Sequence, residues 1–182
     1  MLAVALTIAV SGCAATPEPT PPPPAPSPTA SAAPVFASHE EALAAATAAY
    51  AAYQEMATLV FSEGGVDADR LKSVSSGSYE DLLLREFADT RAAGLRSTGE
   101  TTFDGIRLQQ VNESAAPEAG VVVIYVCSDV SGVDVLDTNN VSQIHDDRIE
   151  RIAFEVGFDW EPGQIGLLTV ASRYVWDGGG VC

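Results

Sequence analysis

Basic residues are scarce in this chain of 182 residues: nine Lys and Arg stand against twenty-five Asp and Glu, a formal net charge of −16. A surface of that sign repels phosphate backbones and anionic lipid head groups, which argues against nucleic acid as a partner. No block of like charge dominates, so the acidity reads as a solvated surface that keeps the protein soluble. Histidine occurs twice. His39 falls in a helix cap and His145 beside Asp146 and Asp147 in a polar stretch, and neither place suits a general base in a dry pocket. A Ser-His-Asp set, a glycine-rich phosphate loop and a Cys-x-x-Cys pair are all missing. No segment reaches the roughly eighteen consecutive apolar residues that a membrane-spanning helix needs.

Cysteine is scarce as well. Cys13, Cys127 and Cys182 are three, an odd number that forbids complete pairing. Residues 1–10, MLAVALTIAV, are apolar and SGC follows at once. Such a run is too short to span a bilayer but suits the apolar region of an export leader. Val10-Ser11-Gly12-Cys13 resembles the lipobox of bacterial lipoproteins, in which small residues admit the chain to the peptidase and the cysteine thiol takes diacylglycerol. No Lys or Arg precedes the apolar run, a departure from the charged start of such leaders. The resemblance implies a signal peptide at 1–12, lipidation at Cys13, and a location on the extracytoplasmic face of a bacterial membrane. An ordinary secretory leader or a buried apolar strand is the alternative.

Residues 13–34 hold the anchor cysteine and AATPEPTPPPPAPSPTASAAP. Proline fixes φ and removes the backbone donor, so neither helix nor sheet is expected there. An extended spacer at about 3.1 Å per residue would reach roughly 65 Å.

The folded part is expected over 35–182. Ser38 and Glu41 form a capping box, and Leu43, Ala46, Tyr50, Tyr53, Ala57, Val60 and Phe61 then recur at helical spacing until Gly64-Gly65. A shorter helix is predicted from Asp67 to about Val74. A third is predicted to start at Ser78 and to carry Leu82, Leu83 and Phe87 as far as Gly94. After Gly99 the period becomes two. TTFDGIRLQQV reads as a strand, and AGVVVIYVCSDV as a central strand covered on both faces. VDVLD is a short strand. In RIAFEVGFDW, Ile152, Phe154, Val156, Phe158 and Trp160 alternate with polar positions. In LLTVASRYVW, Leu168, Val170, Tyr174 and Trp176 are placed on one face and Arg173 on the other. Helices first and strands afterwards define an α+β class, with the helices packed on one side of a curved antiparallel sheet.

The last residues, WDGGGVC, pose a question, because three consecutive glycines are costly to order. If Cys13 takes lipid and the domain is exported, Cys127 and Cys182 remain as a pair in an oxidising compartment. Their bridge would close a loop of about 55 residues, and the glycines would let the tail double back to reach Cys127.

This layout resembles the nuclear transport factor two-like superfamily of α+β cones, which includes ketosteroid isomerases. The likeness rests on the capped helix at 38–63, the helices at 67–94, GLRSTGETTFDGI, the hairpin VIYVCSDVSGVDVLDTNNV and LLTVASRYVWDGGGVC. It implies a pocket at the wide end of a cone, where Asp, His or Tyr does acid–base work in the enzymes of the group. The fold alone does not carry that activity. Asp89 and Asp104 are the candidate bases for a cone-fold isomerase, dehydratase or cyclase, but nothing in the sequence marks either as buried, so no catalytic residue is assigned. Asp129, Asp134, Asp137 and Asn139 offer oxygen ligands without the spacing of a calcium loop, and turn formation explains them, so no metal and no cofactor is expected. Tyr50, Tyr53, Trp160 and Trp176 are the candidate lining of an apolar pocket. The reading is a lipid-anchored, non-catalytic domain, monomeric or homodimeric, that binds a small apolar ligand or a cell-envelope protein.

Overall fold

The structure of the protein, a computed structural model, describes residues 34–161 and 163–182. The leader at 1–12, Cys13 and the proline-rich stretch up to residue 33 lie outside the described residues. Helix α1 spans His39–Ser62. The Ser38 hydroxyl accepts from the Glu41 amide at 3.2 Å and the Glu41 carboxylate accepts from the Ala37 amide at 2.7 Å, so the expected cap is present. Ala42, Ala46, Tyr50, Tyr53, Gln54 and Val60 form its buried face. Gly64 and Gly65 end it at positive φ, and a Cβ at Gly65 would stand 2.4 Å from the Phe87 carbonyl oxygen. Glycine there lets two helices approach closely.

Residues Ala68–Ser73 wind as a 3₁₀ helix, tighter than the α-helix expected over 67–74, after Asp67 turns the chain at a φ of 52°. Helix α2 spans Gly77–Ala92 with Ser76 at its N-cap, ahead of the predicted start at Ser78. Ser78 is not a cap. Its amide and hydroxyl donate to the Glu118 carboxylate, at 3.0 and 3.2 Å, so a carboxylate from a distant loop serves the helix start. Leu83 and Phe87 are buried as expected and Tyr79 joins them, whereas Leu82, expected on the same face, is 42% exposed.

Six strands follow among the described residues: β1 Arg96–Thr98, β2 Thr102–Val111, β3 Val122–Asp129, β4 Asp134–Leu136, β5 Arg151–Glu161 and β6 Gln164–Val175. β1 and β4 pair as a two-stranded ribbon, and the other four form a curved antiparallel sheet in the order β2-β3-β5-β6. The class is α+β, as the sequence predicts. β1 was not expected, because three residues are too few to show a period. β3 lies between β2 and β5 and is covered on both faces. Val122, Ile124 and Val126 face the helices with Phe154, Val156 and Phe158 of β5.

β6 departs from the expected alternation. Gly157 pairs with Ser172 but the next residue, Phe158, pairs with Val170, so Ala171 is an inserted residue. Leu168 and Val170 before it enter the core. Beyond it the faces exchange: Arg173, opposite core Val156, turns inward, while Tyr174, opposite Glu155, is 66% exposed.

On the sheet face away from the helices lies the C-terminal tail. Cys182 is disulfide-bonded to Cys127, Val181 is buried, and Trp176 packs on Tyr125 with ring centroids 4.5 Å apart. Gly105, at a φ of 64° in a bulge of β2, makes room, since a Cβ there would sit 2.4 Å from the Val181 carbonyl oxygen. Among the described residues no helix is long and apolar enough to cross a membrane.

Candidate functional site

Trp160, near the end of β5, lines a groove of about 400 Å³. Ala115, Pro117 and Val121 complete an apolar floor, and Ser76, Glu118 and Asp159 form the rim. The walls are fixed by carboxylates that accept from backbone donors. Val35 and Phe36 each donate an amide to Glu113 at 2.8 Å, which holds the Phe36 ring stacked on Trp160 with centroids 5.4 Å apart. Asp159 accepts from the Glu118 amide and, at 3.2 Å, from the Gly120 amide, and Glu118 in turn holds Ser78. With its acids committed to holding the loop, the groove offers a ligand apolar area and shape rather than acid–base chemistry.

Tyr50 and Tyr53, expected beside a pocket, are packed in the core. Tyr53 and Tyr79 share a hydrogen bond of 2.7 Å between hydroxyls, and Tyr50 meets Phe103 edge-on at 5.0 Å. The Arg173 guanidinium carbon lies 3.4 Å above the centre of the Phe154 ring. Burial pushes the Tyr53 and Tyr79 phenols well above their ordinary range. The Arg173 guanidinium stays charged despite its burial, with the phenols of Tyr50, Tyr53 and Tyr79 around it. Phenols held neutral can donate a hydrogen bond but cannot serve as a base near neutral pH. The Tyr50 hydroxyl and the Arg173 Nε have no hydrogen-bond partner among the described residues. Tyr79 was legible in principle, since it precedes Leu83 and Phe87 at four-residue steps. Arg173 was not, because its direction depends on the bulge at Ala171.

Trp176 lines no groove with Trp160. It lies on the opposite side of the sheet, and its indole N–H donates to the Gly179 carbonyl at 3.4 Å, which fixes the tail. Asp104 accepts both its bonds from Arg151, at 2.8 and 3.0 Å, and Asp89 is exposed on α2, so neither stands at the floor of a pocket. His39 and His145 are exposed. Asp129 accepts from the Ser131 amide and from Arg151, Asp134 from Val135 and Ser142, and Asp137 from the Asn139 and Val141 amides. These oxygens hold turns. Among the described residues no group of three or more His, Cys, Asp or Glu side chains is arranged to hold a metal ion.

No protein-family model matches the chain, and no curated protein matches it in sequence. Its fold is similar to the intermembrane space region of the chloroplast protein ARC6, known from a crystal structure. The two align over 73% of this chain and 95% of that one, with a TM-score of 0.51 and 13% sequence identity. At that identity the likeness concerns the fold alone.

Proposed function

We propose that this is a lipid-anchored, extracytoplasmic binding domain of the bacterial cell envelope that takes a small apolar ligand in the Trp160 groove. The observation that carries the reading is that groove: an apolar floor about 400 Å³ in volume, between walls braced by Glu113, Glu118 and Asp159. Its size is that of a small-molecule site, and the Trp160 ring, backed by Phe36, gives a ligand a rigid apolar face. The lipobox-like VSGC supports the anchor, and the bridged Cys127–Cys182 pair fits an oxidising compartment outside the cytoplasm. Helices on one face of a curved sheet are compatible with a nuclear transport factor two-like cone. A cone-fold isomerase, dehydratase or cyclase would need a buried carboxylate. Asp104 is engaged by Arg151 and Asp89 is exposed, which favours the binding reading over the enzyme one.

The groove is testable by fluorescence. Trp160 and Trp176 are the two tryptophans, so Trp176→Phe leaves Trp160 as sole donor. Titration with the neutral probe N-phenyl-1-naphthylamine is expected to give saturable energy transfer from Trp160, abolished by Val121→Glu. Transfer that never saturates, or that survives Val121→Glu, refutes the site. The anchor is tested separately: Cys13→Ala should release the protein from membranes, and retention there refutes lipidation.

A further inference from the structure

At the other end of the sheet a second cleft opens between α1 and the turn joining β1 to β2. We propose that it binds a small organic cation that also carries an uncharged carbonyl or hydroxyl oxygen. The cleft has two parts. An inner cavity of about 100 Å³ is lined by Gln54, Thr58, Ser97 and Thr101 together with the rings of Phe61 and Phe87. An outer groove of about 550 Å³ shares Gln54, Thr58 and Thr101 and adds Leu59, Phe103 and the carboxylates of Glu55 and Glu100.

Gln54 points to a ligand. The residue is only 9% exposed, and its side-chain amide nitrogen has no hydrogen-bond partner among the described residues. A buried donor left unpaired is a standing cost, and a turn of the terminal amide about its soft last torsion would bring it to an oxygen acceptor in the inner cavity. That cavity is large enough for a carbonyl or hydroxyl head but not for a ring system. The hydroxyls of Thr58, Ser97 and Thr101 add donors or acceptors around the head, and Phe61 and Phe87 exclude bulk water.

Charge settles the other end. No Lys, Arg or His lines either part, so an anionic group would enter with no counter-ion. Glu55 and Glu100 are both exposed in the outer groove, and the chain carries a formal charge of −16, so the field there attracts a cation. Leu59 and Phe103 provide apolar surface for the intervening carbons. The implied ligand is linear: oxygen inward, aliphatic middle, ammonium outward. This site is separate from the Trp160 groove, and either assignment stands or falls without the other.

The probe is 6-aminohexanamide, titrated into the full chain labelled with ¹⁵N while the side-chain amide resonances are followed. The Gln54 side-chain resonance is expected to move saturably. Hexanamide, which lacks the ammonium, and 6-aminohexanoate, which brings a carboxylate to Gln54, should each bind at least fivefold more weakly. Gln54→Leu should weaken the probe at least tenfold, and Glu55→Gln combined with Glu100→Gln about fivefold, an effect that added salt reproduces. Thr101→Val, at the rim, gives the same readout if the Gln54 variant misfolds. A Gln54 resonance that the probe leaves unmoved, as a cavity holding only water would give, overturns the proposal. So does equal binding by hexanamide or by the double glutamine variant. Binding of N-phenyl-1-naphthylamine beside Trp160 should be the same in all these variants.

Discussion

Arg173 lies over the face of Phe154, its guanidinium carbon 3.4 Å from the ring centre, among the hydroxyls of Tyr50, Tyr53 and Tyr79. No carboxylate balances it in a salt bridge among the described residues. Removing a buried charge while keeping its apolar stem is often neutral or stabilising. Arg173→Met is therefore expected to change unfolding free energy by no more than about 1 kcal/mol or to raise it, whereas Arg173→Ala, which also leaves a void, should cost about 2–3 kcal/mol. Urea unfolding of both variants checks this. A methionine variant as unstable as the alanine one would show that the ring and phenol contacts make the charge a net contributor.

The Cys127–Cys182 bridge closes a loop with a sequence separation of 55. The chain-entropy model assigns such a loop about 4 kcal/mol. Cys182→Ser is expected to lower Tm by roughly 8–16 °C for a domain of this size. Trp176 emission should shift toward that of exposed indole as the tail frays, while Trp160 emission holds.

Glu118 holds the first turn of α2 from a loop that also walls the Trp160 groove. Glu118→Ala should cost about 1 kcal/mol, the scale of a lost helix cap, and speed amide exchange at Ser78. Glu118→Gln, which keeps an acceptor but loses the charge, is expected to fall between. Equal exchange in all three proteins would mean that the helix start does not depend on this carboxylate.

Asp129 titrates at about 2, held down by the Ser131 hydroxyl and amide and by the Arg151 guanidinium, against an ordinary value of 3.8. A carboxylate whose folded pKa is depressed stabilises above its unfolded pKa, and that contribution is lost as pH falls through the folded one. Stability should therefore decline between about pH 4 and pH 2. Asp129→Asn is expected to flatten that part of the curve and to leave the neutral region lower than wild type. Acid titration of the unfolding midpoint reads both.

How much was legible in the sequence varies by element. The Ser38 cap and the stripe of α1 could be read directly, because both are local: one side chain meets an amide three residues on, and apolar residues recur within the same helix. The alternation of β5 was equally plain, and the cysteine pair followed from the expectation that Cys13 takes lipid and the domain is exported. The start of α2 was misread because its capping group, Glu118, comes from forty positions away. β4 was read as the short strand VDVLD, but its partner β1 escaped notice because three residues carry no period. In the candidate site Trp160 was found, but Tyr50 and Tyr53 were misplaced, since an aromatic stripe has the same spacing whether it meets a cavity or a packed sheet.

The sequence alone determined the α+β class, the strong acidity, the first helix and the residue types able to form a covalent cross-link, because each depends on composition or on neighbours a few residues apart. Tertiary structure decided the rest. The inserted Ala171 exchanged the faces of Arg173 and Tyr174, as any one-residue shift in a period-two strand must. Packing decided that Trp160 borders open space while Trp176 clamps the tail. It also left the Gln54 amide buried without a partner, since whether a polar group is satisfied depends on which distant segments come to rest around it.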